Sequence, residues 1–187
     1  MKLFYLAFAG VLYLASFAGD AFAADTLTIQ LKGGPVVIEL APDVAPKHVA
    51  QIEALAKKGA YDNVAFHRVI DGFMAQTGDV QYGNMEKGFD KGQVGTGGSD
   101  MPNIPAEFSK APFVRGTVGM ARSQDPNSAN SQFFIMFADG SFLNGQYTVV
   151  GKVVSGMENV DKIKKGEGQN GEVSDPDRMI KVTVGKK

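Results

Sequence analysis

Cysteine and tryptophan are absent from this 187-residue sequence, and histidine occurs only as His48 and His67. The lack of cysteine excludes disulfides and thiolate metal sites, and two histidines are too few for an ordinary histidine-based zinc site. Basic and acidic side chains nearly balance, with a formal net charge of −1. This balance argues against electrostatic binding to nucleic acid or to an anionic membrane surface.

The sequence is rich in glycine and phenylalanine, with 23 and 13 residues, and 44% of it is hydrophobic. That hydrophobic fraction is enough for an ordinary core, and the length suits one domain. Abundant glycine together with abundant phenylalanine favours a turn-rich β fold with aromatic packing over a helical bundle.

The N-terminus has the features of a secretory signal. Lys2 is followed by 17 residues without a charge, and the small-residue sequence AFA occupies positions 21–23. A basic start, an apolar stretch and an A-x-A site together predict cleavage after Ala23. We therefore expect a signal peptide at 1–23, a domain at 24–187, and a periplasmic or secreted protein. An uncleaved membrane anchor is the alternative.

Alternation of polar and apolar residues predicts at least seven short strands in the rest of the chain. The first two, 26–31 and 36–40, flank a Gly-Gly-Pro turn and are expected to form a hairpin. The others are predicted at 64–70, 73–77, 117–121, 132–137, 148–153 and 179–184.

Two helices are predicted between the strands. The first begins at Pro42 and Pro46 and ends at Gly59, with His48 expected on its solvated side; the second begins at a capping box, Ser155 to Glu158. Between them, residues 79–108 show no periodicity and many glycines and prolines, so this loop is expected to be either disordered or functional. Strands with two helices predict an all-β barrel or sandwich with helical caps.

Two stretches set isolated polar side chains among apolar ones: AFHRVIDGFMAQTGD at 65–79 and NSANSQFFIM at 127–136. No serine of the chain lies in a G-x-S-x-G sequence, which disfavours a Ser-His-Asp hydrolase. Asp79 and Glu107 are candidates for a glycosidase pair, but the sequence does not pair them. GQVGTGG at 92–98 lacks the G-K-[ST] ending of a phosphate-binding loop.

The stretch FHRVIDGFMAQTGD at 66–79 resembles a signature of the cyclophilins, which are peptidyl-prolyl cis/trans isomerases. SQFFI at 131–135 is similar to their second signature, and GTGG at 95–98 and GKV at 151–153 fit in the family's order. The resemblance spans about Thr26 to Val184, so 24–187 is predicted to be a cyclophilin-type isomerase domain. It implies an all-β fold: a closed eight-stranded antiparallel barrel capped by two α-helices.

The resemblance also implies the site, without a cofactor or metal. Arg68 matches the family's catalytic arginine. The residues that match the proline pocket and the peptide groove, and are therefore predicted to bind substrate, are Phe73, Met74, Gln76, Ala121, Arg122, Gln132, Phe134, Phe142, Leu143 and Tyr147. His67 is predicted to be structural, because adjacent strand residues face opposite sides.

Three of these positions depart from the vertebrate pattern of the family. Phe142 replaces a Trp, Tyr147 replaces a His, and Arg122 replaces an Asn. The core of the proline pocket is unchanged, whereas the outer groove differs. The departures predict weaker binding of cyclosporin-type inhibitors.

Two functions stay open at this point. One is an exported isomerase that acts on folding proteins, and the other is a chaperone module that binds proline-containing peptides with little or no turnover. Arg68 favours the enzyme, because a binder has no need of a cation aimed at the rotating bond. The expected partners are proline-containing polypeptides, with no nucleic acid, no stable membrane association after signal cleavage, and a monomeric state.

Overall fold

The computed structural model of the chain describes residues 25–186. The predicted signal peptide at 1–23 lies outside this range. Residues 25–186 include no helix that combines the length and the apolar character needed to cross a bilayer.

The described chain folds into ten strands and two α-helices. The strands are β1 (Thr26–Leu31), β2 (Gly34–Leu40), β3 (Val64–Ala65), β4 (Arg68–Ile70), β5 (Met74–Thr77), β6 (Thr117–Met120), β7 (Phe133–Met136), β8 (Val149–Ser155), β9 (Arg178–Met179) and β10 (Lys181–Gly185). The helices are α1 (Pro46–Lys57) and α2 (Met157–Asp161), and a short 3-10 turn spans Ser141–Leu143.

Eight strands form one antiparallel sheet in the order β10-β1-β2-β8-β6-β7-β5-β4. β3 and β9 form a separate two-stranded ladder. The predicted mostly β fold with eight antiparallel strands and two helices is therefore confirmed. Its predicted closure is wrong: β4 and β10 are the edges of the sheet and do not pair with each other, so the described strands form an open half-barrel.

The chain is interrupted beside both edges of the sheet. Phe66 and His67 separate β3 from β4, and Ile180 separates β9 from β10. The predicted continuous strands at 64–70 and 179–184 are thus each split in two. Beside these edges β3 pairs with β9, and Val69 of β4 exchanges backbone hydrogen bonds with Gly166 and Gly171.

The main core lies on one face of this sheet and is covered by α1. Val49, Ile52 and Leu55 of α1 are 1–3% exposed, as the predicted apolar face of the helix requires. They join the inward residues of the strands, such as Ile29 and Ile38, in one apolar cluster. Full burial of each such side chain contributes about 1.5–3 kcal/mol.

The prediction that His48 is solvated is wrong. His48 is 0% exposed, and its ring Nδ1 lies 2.7 Å from Oε2 of Glu107. The same carboxylate accepts the backbone N–H groups of Lys47 and His48. Since α1 has no side-chain cap of its own at Ala45, Glu107 caps the helix from a distant loop.

The predicted capping box at Ser155 is also wrong. Gly156 is the residue that precedes α2, with φ of 83°, and no side chain caps this end. This backbone conformation favours glycine, and the carbonyl of Pro35 packs directly against the position where a Cβ would lie. Asn159 then donates to the same carbonyl at 3.0 Å. The close approach of β2 therefore decides how α2 begins.

Candidate active site

Three neighbouring strands place the predicted residues on one face of the sheet. Arg68 of β4 lies opposite Gln76 of β5, which lies opposite Phe134 of β7. Their chain neighbours Val69 and Ala75 belong to the main core. Because side chains alternate along a strand, the candidate site and the main core occupy opposite faces of the same strands.

Arg68 is held by neutral partners. Its Nε donates to the carbonyl of Asn170 at 2.9 Å, and its Nη1 donates to Oε1 of Gln76 at 3.3 Å. The Gln76 amide nitrogen donates to Oε1 of Gln132 at 2.9 Å. Within residues 25–186, Arg68 forms no ion pair and its Nη2 makes no hydrogen bond. The cation is therefore oriented without being neutralised, and part of it is available to a ligand.

Ten of the eleven predicted residues line one pocket of about 310 Å³. They are Arg68, Phe73, Met74, Gln76, Ala121, Arg122, Phe134, Phe142, Leu143 and Tyr147. The floor is apolar and buried, since Met74, Phe134 and Leu143 expose 2%, 5% and 7% of their surface. An apolar floor beside a fixed cation suits a small apolar ring attached to a polar peptide group.

The ring of Phe134 is fixed by two other aromatic rings. Phe113 stacks on it at 5.8 Å between centroids, and Tyr147 meets it edge-on at 5.9 Å. Both geometries are favourable for aromatic pairs. Phe113 was not among the predicted site residues. It lies between strands, where no sequence period indicates which side chain supports the pocket.

The 3-10 turn places consecutive residues at two levels of the pocket. Phe142 is 63% exposed and packs against Phe73 with 5.5 Å between ring centroids, which makes it part of the rim. Leu143 is buried in the apolar cluster around Met74 and Phe134. Adjacent residues thus serve the rim and the floor.

Arg122 forms a wall of the pocket and has few free donors. Its Nη1 donates to the carbonyls of Ser123 and Gln124 at 2.8 and 3.3 Å, and its Nη2 donates to Gln146 O at 3.0 Å. The guanidinium lies 4.4 Å from the centroid of the Tyr147 ring, a cation–π arrangement. Arg122 therefore ties together two segments beside the pocket.

The remaining predicted residue, Gln132, lies just outside this pocket. It lines an adjoining depression of about 390 Å³ that shares Gln76, Ala121 and Arg122 with the pocket. Its amide nitrogen donates to backbone carbonyls of the 95–97 loop. Gln132 is thus placed to orient Gln76, while its contact with a ligand stays a prediction.

Most titratable side chains of the described residues lie outside the pocket lining. The pocket lining includes two arginines and no carboxylate, and no three metal-ligating side chains cluster within residues 25–186. His67 is buried at the break between β3 and β4, and burial lowers its pKa, so the ring is neutral near pH 7. Asp79 and Glu107, the carboxylates considered for a glycosidase, line neither the pocket nor the adjoining depression.

The described domain matches one protein family over nearly its whole length. Residues 26–184 match the family model described as "Cyclophilin type peptidyl-prolyl cis-trans isomerase/CLD". A probable peptidyl-prolyl cis-trans isomerase of Brucella suis biovar 1 (strain 1330) is 70% identical over 168 residues, which cover 89% of this chain and 86% of that protein. Peptidyl-prolyl cis-trans isomerase B of Escherichia coli (strain K12) is 37% identical over 146 residues, covering 74% and 83%.

The described domain also superposes on solved structures of cyclophilins. A cyclophilin-type peptidyl-prolyl cis-trans isomerase of Cryptosporidium parvum, crystallised in the presence of the dipeptide Ala-Pro, superposes with a TM-score of 0.72 at 26% identity, over 87% of this chain and 99% of that one. A cyclophilin from Hirschia baltica superposes with a TM-score of 0.70 at 26% identity, over 84% and 73% of the two chains.

The exposed rim residue leads to a prediction about inhibitors. Phe142→Trp is expected to strengthen inhibition by cyclosporin at least tenfold, because an indole N–H can donate to a ligand carbonyl and Phe cannot. One hydrogen bond contributes about 0.5–1.5 kcal/mol, the larger ring adds contact area, and about 1.4 kcal/mol is tenfold in affinity. The inhibition constant is measured with one short X-Pro peptide for both proteins. An unchanged constant would direct attention to Arg122 and Tyr147 instead.

Proposed function

This chain belongs to the cyclophilin-type peptidyl-prolyl cis-trans isomerases, and on that premise we propose how its site accelerates rotation about X-Pro bonds. The prolyl ring of a peptide binds on the apolar floor formed by Met74, Phe134 and Leu143. Arg68 donates a hydrogen bond to the prolyl nitrogen as the bond twists. The single observation that carries this proposal is a guanidinium that forms no ion pair within residues 25–186 and lies at the edge of a pocket with an apolar floor.

The chemistry of the bond explains why these groups suffice. Resonance gives the peptide bond partial double-bond character and a rotation barrier of about 18–20 kcal/mol. In the twisted state that resonance is lost and the prolyl nitrogen gains a lone pair. A cation aimed at this nitrogen stabilises the twisted state more than the planar one, which is the condition for catalysis. No covalent bond changes, so no nucleophile or general base is needed.

The neutral partners of Arg68 preserve this effect. A carboxylate at the same distance would compete for the N–H groups and reduce the positive potential at the pocket. Gln76 and Asn170 instead fix the guanidinium through one side-chain and one backbone oxygen. Because the planar guanidinium of Arg68 is held by two hydrogen bonds, its remaining N–H donors point in a defined direction.

The required acceleration is within reach of this arrangement. An uncatalysed rate near 0.01 per second and a turnover of about 1–1,000 per second differ by ~10²–10⁵, or roughly 3–7 kcal/mol. One preorganised donor is worth ~3–4 kcal/mol. Holding the prolyl ring while the preceding peptide group rotates supplies the rest through orientation.

A protease-coupled assay tests the proposal on purified protein comprising residues 24–187. A short peptide with an X-Pro bond is cleaved only in its trans form, so the slow phase reports isomerisation. We expect the rate of the slow phase to increase in proportion to the enzyme concentration. If the slow phase keeps its uncatalysed rate while the peptide still binds, the peptide-binding chaperone module is the better description.

We further propose that the protein acts outside the cytoplasm on exported polypeptides that contain proline. The basis is the N-terminal sequence: Lys2, the 17 uncharged residues and AFA at 21–23. We propose that it does so as a monomer. An exported isomerase of this kind would assist folding after translocation.

Export predicts a specific N-terminus. The mature protein is expected to begin at Ala24 and to occur in the periplasmic or secreted fraction, because cleavage follows the A-x-A site. N-terminal sequencing of protein recovered from fractionated cells measures this directly. Protein that begins at Met1 and remains with the membrane fraction would instead indicate an uncleaved anchor.

A further inference from the structure

A buried carboxylate lies two residues after the end of β5, outside the pocket. Asp79 is 0% exposed, and its oxygens accept four backbone N–H groups. Oδ1 accepts those of Gln81 and Tyr82 at 3.1 and 2.9 Å, and Oδ2 accepts those of Gly95 and Gly97 at 2.7 and 3.0 Å. No cation pairs with it among residues 25–186. Four backbone N–H groups therefore satisfy the buried carboxylate.

The loop held by Asp79 is the one that holds Gln132. The carbonyl oxygens of Gly95 and Gly97 accept both hydrogen bonds of the Gln132 amide nitrogen, at 3.0 and 2.8 Å. A Cβ at position 97 would lie 2.5 Å from Oδ1 of Asp79, so only glycine allows the loop to approach this closely. The backbone N–H groups of the GTGG stretch thus bind the Asp79 carboxylate, and its carbonyl oxygens bind Gln132.

Hydrogen bonds connect Gln132 to Gln76 and Gln76 to Arg68, and only one arrangement of donors and acceptors allows all of them to form. With its nitrogen bound to the loop, the Gln132 amide must turn Oε1 towards Gln76, which donates at 2.9 Å. The Gln76 oxygen then faces Arg68 and accepts from Nη1 at 3.3 Å. Reversal of either amide would set two donors or two acceptors against each other. The orientation of the Gln76 oxygen therefore depends on the loop carbonyls.

We propose that Asp79 is a positioning residue for Arg68, acting through the Gly95–Gly97 loop, Gln132 and Gln76 without touching the substrate. Asp79 fixes the loop, the loop fixes both glutamine amides, and the amides fix one of the two anchors of the guanidinium. The other anchor, Asn170 O, does not depend on Asp79. Loss of Asp79 is thus expected to loosen Arg68 without releasing it. This inference rests on the role proposed above for Arg68.

The test replaces the carboxylate by an amide of the same shape. Asp79→Asn sets an NH₂ group against loop N–H groups and is expected to lower kcat about tenfold with little change in KM, because small misplacement of a catalytic group reduces rate strongly. In an Arg68→Ala background the same substitution is expected to cause no further loss, since its effect passes through Arg68. An equal loss in both backgrounds would overturn the proposal, as would full activity of Asp79→Asn.

Asp62→Asn is the matched control. Asp62 accepts the backbone N–H of Val182 and a hydrogen bond from Lys181 at 2.9 and 2.6 Å, so it also holds a loop to the sheet. Among residues 25–186, no hydrogen bond or ion pair joins its side chain to Arg68, Gln76 or Gln132. This variant is expected to lose stability and retain activity. If its activity falls as much as that of Asp79→Asn, general loosening is the cause and the positioning role is refuted.

A second measurement does not depend on turnover. The side-chain amide NMR signals of Gln76 and Gln132 are expected to shift in Asp79→Asn and to stay in place in Asp62→Asn. If Asp79→Asn does not fold, Gly97→Ala serves instead, because its methyl group pushes the loop away from an intact carboxylate. Unmoved signals in the folded variant would overturn the positioning role. An inactive wild type with ordered amides would overturn the proposed function alone.

Discussion

Arg68→Ala is expected to lower kcat/KM for an X-Pro peptide by about 10²–10³-fold, the usual cost of removing one aimed donor from a dry site. The reason is that the guanidinium interacts most strongly with the twisted bond and only weakly with the planar peptide. Peptide affinity should therefore change little, since the apolar floor is intact. The measurements are the protease-coupled rate, the peptide dissociation constant and the melting temperature.

Two companion variants separate the mechanism from general effects. Arg68→Lys is expected to recover little activity, because an ammonium lacks the planar fork that Gln76 and Asn170 hold. Arg115→Ala removes an arginine that pairs with Asp161 at 2.7 Å and is not among the residues that line the pocket, and it should keep full activity. Retention of activity in Arg68→Ala would contradict the proposed role of the cation.

Glu107→Ala is expected to lower the free energy of unfolding by about 2–3 kcal/mol, because hydrogen bonds to a charged group are each worth about 1.5–3 kcal/mol and water replaces part of them. The carboxylate accepts from two backbone N–H groups at the start of α1 and from the buried ring of His48. Urea unfolding measures the loss. Glu53→Ala, which removes an exposed pair with Lys57 in the same helix, should cost only about 0.2–0.5 kcal/mol.

The same carboxylate gives the stability a pH dependence. Burial by itself would raise the pKa of Glu107, but the hydrogen bonds from His48 and Lys47 outweigh it and the pKa is lowered. A carboxylate whose native pKa is depressed stabilises the fold fully above its unfolded pKa, about 4.3, and loses this contribution as the pH falls through the native value. The stability difference between wild type and Glu107→Gln should therefore shrink below about pH 4. A difference that grows on acidification would contradict the assignment.

The elements with a regular sequence period were predicted well. The hairpin of β1 and β2 and the apolar face of α1 follow from alternation and from helical spacing, which are local properties. The interruptions at Phe66–His67 and at Ile180 were not predicted, because both flanking segments retain strand composition. What breaks these strands is a change of pairing partner, and partners are distant in the sequence.

The resemblance to the family supplied the eleven candidate residues, of which six lie in the stretches 65–79 and 127–136, but it did not supply the groups that support them. Arg68 and Gln76 are close in the chain, and one hairpin brings them together. The carbonyl of Asn170 and the ring of Phe113 come from irregular segments, where no period indicates direction. The prediction that His48 is solvated failed for the same reason, because its partner Glu107 lies in an irregular segment 59 residues away.

The short turn at Ser141–Leu143 has a consequence for how this enzyme could diversify. Phe142 contributes to the rim and is largely exposed, so replacing it disturbs neither the core nor the floor of the pocket. Leu143, its immediate neighbour, packs in the buried cluster and tolerates little change. On the proposed binding mode, the residue that contacts the peptide and the residue that stabilises the fold are therefore adjacent and can be changed separately. A library randomised at position 142 alone could explore new peptide preferences without the folding losses that usually accompany active-site mutagenesis.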